Sequence, residues 1–100
     1  MLIEKPVRRR SVAHLRWMAT LPCCVCDRWG ETQAHHLMHA QPRARGLKVS
    51  DEFAVPLCWV HHQSLHMQGN EAGWWRSHQI DPMLIAAELW GESLAAGRVK

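Results

Sequence analysis

Two short ligand spacings constrain this chain more than anything else in it: Cys23-x2-Cys26 and Cys58-x2-His61. Each presents two donors from one tight turn, and together they make a Cys3His set of the kind structural zinc prefers. The chain needs such a staple. At 100 residues it is one lean domain, and a domain this small has a marginal core of its own. Residues 1–11, MLIEKPVRRRS, contain no apolar run of the sort a secretory signal carries, and no stretch is apolar for long enough to span a bilayer. A cytoplasmic, reducing setting is expected, in which metal ligation is a better use of cysteine than disulfides. Cys24 lies beside two ligands, but the spacing pairs Cys26 with Cys23 and leaves Cys24 spare.

Local signals divide the rest of the chain into a small α+β domain. Residues 1–10 read as a flexible basic arm ending in Arg8, Arg9 and Arg10, and residues 11–100 as a single domain with its core in 21–68. Ser11 can cap a helix carrying Val12, Leu15, Trp17 and Met18, which Pro22 closes. A turn around Asp27–Gly30 and a short segment from Glu31 to Leu37 follow. Residues 40–50, AQPRARGLKVS, read as an exposed loop. Phe53–Leu57 suits a short strand, with Pro56 confining it to an edge or an end. Trp59–Gln68 suits a helix that Gly69 terminates. Asn70 and Asp81-Pro82 then begin two packing helices within 70–96, the last with a rough apolar stripe of Leu84, Ala87 and Leu94, with Leu89 and Trp90 nearby.

Histidine supplies the second constellation. Eight are present, and they cluster between His35 and His66. His62 and His66 are four apart on the expected helix, stacked on one face and able to bite one ion. His35 and His36 are neighbours on the expected first strand, so they point to opposite faces and suit two different jobs. His14, His39 and His78 have no partners at ligand spacing.

In order along the chain, His35-His36 and then Val55-Pro56-Leu57-Cys58-x2-His61-His62-x3-His66 resemble the HNH endonuclease motif inside a zinc-binding frame. Small phage and prophage nucleases, including the recombination-enhancement type, are similar over about residues 21–66. The resemblance implies a ββα-metal, treble-clef-like core with a structural zinc knuckle, flanked by N- and C-terminal helices. It also implies His36 as general base, and His35, His62 and His66 as ligands of one catalytic divalent ion. In that family an Asn stands nine residues before the first helical His, where this chain has Phe53. A backbone carbonyl near Phe53, or the side chain of Asp51, is the available replacement.

The chemistry stands without the family name. A neutral imidazole near pH 7 has the basicity to take a proton from water, and one metal ion can stabilise charge on a phosphorane. Three imidazoles make a borderline-soft site that suits Zn2+, Ni2+, Co2+ or Mn2+ better than Mg2+. The expected function is metal-dependent hydrolysis of DNA, nicking with little sequence specificity. Arg43, Arg45 and Lys48, in the loop between the strands, are placed to grip flanking phosphates, and the formal charge of +3 agrees with an anionic partner. Recombination or packaging proteins are the partners the phage resemblance adds. A different class of function is a non-catalytic zinc module that binds DNA or a protein on the same frame, which Phe53 favours. A zinc deaminase ranks lower, for want of a His-x-Glu element. Of six tryptophans, Trp17, Trp74, Trp75 and Trp90 are expected to fill the core, and Trp29 and Trp59 to shield the zinc.

Overall fold

A computed structural model describes residues 9–41 and 49–99. Capping sets the helices. Ser11 accepts the backbone N–H of His14 and begins α1, Val12–Met18. Such a cap contributes about 1 kcal/mol. Asn70 does the same for α3, Glu71–Ser77, through the N–H of Gly73. Asp81 caps α4, Pro82–Ala96, with Pro82 in its first turn. Gly69, in the left-handed conformation at φ +74°, ends α2, Trp59–Gln68, where a side chain would be strained.

The strands β1, Thr32–His36, and β2, Ala54–Cys58, pair antiparallel, with Thr32 opposite Cys58 and His36 opposite Ala54. A 3-10 turn, Asp51–Phe53, leads into β2. All five residues of β2 are buried, because α2 covers the hairpin while α4 also packs against β2. Pro56 is tolerated there because the sheet has two strands and both are edges. Its carbonyl accepts the N–H of Cys24 at 3.0 Å, which fastens the cysteine turn to β2. The core gathers Cys23, Leu37, Val55, Leu57, Leu65, Trp74, Trp75 and Ala86. Burying a side chain such as Leu57 stabilises by about 2 kcal/mol.

Three expectations change here. The buried face of α4 carries Ala86 and Ser93, while Leu84, Ala87 and Leu94 face outward, with Leu84 63% exposed. Ser93 is drawn inward by buried His14, whose Nδ1 lies 2.6 Å from its hydroxyl. That polar pair sets the helix rotation against the apolar stripe. Trp29 and Trp59 are 69% and 53% exposed, so neither shields the cysteines. Arg9 and Arg10 are tied down rather than free: Arg9 N–H donates to Ser50 Oγ at 2.9 Å, and Arg10 donates to the Val49 carbonyl at 2.8 Å. Arg8, Arg43, Arg45 and Lys48 lie outside the described residues.

Candidate metal centres

The Cys3His set assembles from three elements. The turn after α1 supplies Cys23 and Cys26, the end of β2 supplies Cys58, and the first turn of α2 supplies His61. Their donor atoms lie within 4.8 Å of one another. Cys26 Sγ is 3.9 Å from Cys58 Sγ, and His61 Nδ1 is 3.8 Å from Cys23 Sγ and 3.2 Å from Cys58 Sγ. Tetrahedral zinc with thiolate bonds of about 2.3 Å separates its sulfurs by about 3.8 Å, so the residues fit such an ion. Asp27, at φ +60°, donates its N–H to the Cys23 carbonyl and closes the turn.

Electrostatics set Cys24 apart from Cys23. Burial pushes the Cys23 thiol up, but hydrogen bonds from backbone N–H groups and Cys26 outweigh it and hold it below the ordinary value. Burial, reinforced by charge on Cys23, pushes Cys24 up to about 12, and Cys24 stands outside the set. Burial, with His78 nearby, lowers the pKa of His61, which keeps its ring neutral as a ligand must be.

The second set joins His35 of β1 to His62 and His66 of α2, again with donor atoms within 4.8 Å. His62 and His66 present their Nε2 atoms 3.1 Å apart, close to the roughly 3.3 Å that two tetrahedral zinc–nitrogen bonds impose. Gln33 Oε1 lies 3.0 Å from His62 Nδ1 and holds that ring from behind. Burial lowers the pKa of His62, charge on His35 and His66 lowers it further, and Glu71 opposes them. His35 is nearly fully buried, whereas His66 is exposed, so the set opens toward solvent on its α2 side.

His36 is not one of the three. Strand alternation carries it to the other face of β1, where its Nε2 lies 2.8 Å from Asp51 Oδ1. Phe53 is half-buried against the core, and its carbonyl accepts the Leu37 N–H at 2.8 Å. Phe53 thus closes the hairpin with its backbone, and Asp51 holds the histidine.

Residues 1–97 match the family described as "Protein of unknown function (DUF968)". The chain belongs to the DUF968 family. "Uncharacterized protein YdfU" of Escherichia coli (strain K12) is 40% identical to this DUF968 chain over 66 residues, 64% of the chain and 19% of that protein. The chain thus spans about a fifth of that relative's length. No solved structure matches it. No helix among the described residues is long and apolar enough to cross a membrane.

Two features of the DUF968 chain escape sequence reasoning. Glu71, at the start of α3, places Oε2 3.0 Å from His35 Nε2 and also accepts the indole N–H of Trp75 at 3.0 Å. Burial raises its pKa, but the hydrogen bonds from His35 and Trp75 outweigh burial and hold it below the usual carboxylate value. A cleft of about 440 Å3, lined by Arg9, Arg10, Ser11, Trp90, Arg98 and Val99, lies beside the Asp51 carboxylate, which Arg10 approaches to 3.6 Å. Arg98 and Arg10 are 88 residues apart in sequence, so no charge run announces them.

Proposed function

We propose that this chain is a metal-dependent endonuclease of the ββα-metal (HNH) type that nicks DNA with little sequence specificity. The observation that carries it is the convergence of His35, His62 and His66 beside a separate Cys3His set, with α2 contributing to both. Zinc in the Cys3His set braces the turn, β2 and the start of α2, as structural zinc does in small domains. The imidazole set suits a second, borderline divalent ion, Zn2+, Ni2+, Co2+ or Mn2+ ahead of Mg2+. When bound, that ion supplies charge stabilisation to a non-bridging phosphate oxygen and to the departing 3′ oxygen.

The protein's own part centres on His36. A carboxylate can only accept, so Asp51 holds the proton on His36 Nε2 and leaves Nδ1 free as a base. Nδ1 takes a proton from water as its oxygen bonds to phosphorus and the bond to the 3′ oxygen breaks; the departing oxygen takes a proton from solvent, giving 5′-phosphate and 3′-hydroxyl ends. His35 and His36 face opposite sides of β1. The outer edge of β1 has no strand partner among the described residues. Arg9, Arg10 and Arg98 supply cations for neighbouring phosphates on the His36 side.

Plasmid nicking with Mn2+, Ni2+ or Mg2+ tests this, comparing wild type with His36→Ala. Wild type converts supercoiled DNA to open circles, and His36→Ala loses that by a hundredfold or more, on the order expected for a general base. Phe53 in the place of Asn favours a second possibility, a non-catalytic zinc module that binds DNA or a protein. DNA binding by wild type and His36→Ala with no cleavage in any of the three metals would establish that module instead.

A further inference from the structure

We propose that Glu71 is a positioning residue of the imidazole centre, holding His35 with its proton on Nε2 so that Nδ1 is presented as the ligand. This rests on the proposal that His35, His62 and His66 hold an ion.

Chain geometry makes Glu71 a partner of His35 although the two are 36 positions apart in sequence. Gly69, with its left-handed backbone, ends α2 three residues after His66, and Asn70 caps the next helix at once. That reversal returns the first residue of α3 to β1. Glu71 Oε2 then lies 3.0 Å from His35 Nε2, with side chains 10% and 4% exposed. The same oxygen accepts the indole N–H of Trp75 at 3.0 Å, and Trp75 is itself buried. A carboxylate anchored by a tryptophan cannot turn away from the histidine, and it accepts protons only. His35 must therefore donate through Nε2. A ligating histidine commonly gives its other N–H to a carboxylate in this way, which fixes the ring and raises its basicity.

Gln33 plays the matching part for His62 with the nitrogens exchanged. Its Oε1 takes the Nδ1 side and leaves Nε2 facing His66. That contact is exposed to water, whereas the Glu71 contact is mostly buried, so Glu71 has the larger influence.

An acidic residue in the first turn of a helix is also stabilising simply through the helix dipole. Glu71→Asp separates the two roles: it keeps the charge at the start of α3 and falls one methylene short of His35. Wild type, Glu71→Asp and Glu71→Gln, each with zinc retained in the Cys3His set, would be titrated calorimetrically with Mn2+ and Ni2+. Imidazole nitrogen NMR of the protein before titration would report which His35 nitrogen carries the proton. We expect the Nε2–H form in wild type, its loss in Glu71→Asp, and a 10–100-fold weaker second ion in both variants. Zinc content and helical circular dichroism should not change. Wild-type His35 protonated on Nδ1, or variant affinities equal to wild type, would overturn the role of Glu71 alone. Failure of wild type to take up a second ion would overturn the imidazole centre, and this proposal with it. The tautomer measurement needs no variant, so a substitution that fails to fold leaves it decisive.

Discussion

Asp51 bridges two parts of the chain: its Oδ1 lies 2.8 Å from His36 Nε2, and its Oδ2 accepts the Ser11 N–H at 2.7 Å. One carboxylate thus ties the start of α1 to the last residue of β1. Asp51→Asn would leave its amide oxygen to Ser11 and turn its NH2 toward His36. His36 would then have to offer Nε2 as an acceptor and carry its proton on Nδ1, the nitrogen proposed as the base. Nicking should fall by about a hundredfold or more, as when a histidine is held in the wrong tautomer. Thermal unfolding should shift little, because both hydrogen bonds can still form. Parallel losses of stability and cleavage would count against a role in orienting His36.

The two ligand sets should separate in their effects. Cys58 is buried at the junction of β2 and α2, and Cys58→Ser should prevent stable folding by weakening a metal site that contributes folding energy directly. His62 is half-buried near the solvent side of its set, and His62→Ala should cost about 1 kcal/mol or less. Metal analysis of purified protein should show the second ion lost from His62→Ala with zinc retained. A chelator should follow the same order, removing the imidazole-bound ion from a folded protein and unfolding it only when zinc leaves.

His14 gives stability a pH dependence. Burial lowers its pKa from 6.5, Asp51 opposes that, and Arg98 adds to it, while its Nε2 is buried without a hydrogen-bond partner. The unfolded chain therefore binds a proton at this ring before the folded chain does. The stabilising difference is fully present above pH 6.5 and is lost as pH falls from there through the lower folded value. Urea unfolding followed from pH 7.5 down to 5 should show this decline. His14→Phe, which keeps a ring against Trp90, should flatten the part of it that His14 causes.

The rotation of α4 can be checked with two substitutions. Leu84→Gln changes an exposed side chain and should alter stability by less than about 0.5 kcal/mol. Ala86→Leu adds volume at a position 1% exposed and should destabilise by about 1–3 kcal/mol. The apolar stripe read from spacing alone demands the reverse order.

That stripe marks where local sequence stops being informative. Ser11, Gly69, Asn70 and Asp81 act within a few residues of themselves, so the starts and stops of the helices were readable. The ligand sets were readable for the same reason, since Cys23-x2-Cys26 and Cys58-x2-His61-His62-x3-His66 are short-range spacings. Which side of α4 is buried depends on His14, 79 residues from Ser93, and no helical periodicity encodes a distant polar partner. Glu71 was missed because a carboxylate five residues past His66, across a helix break, has no ligand spacing. Trp29 and Trp59 misled in the opposite direction: closeness in sequence to a ligand is not contact with what it binds.

His61 and His62 are consecutive residues of α2, and each belongs to a different set. A helical step turns about 100° between them, so one rigid rod faces the cysteines with one residue and the imidazoles with the next. The dependence runs one way, from the first turn of α2 outward. With zinc in the first set, whatever loosened its hold on the first turn of α2, oxidation of exposed Cys26 included, would also disturb the placing of His62 and His66 against His35.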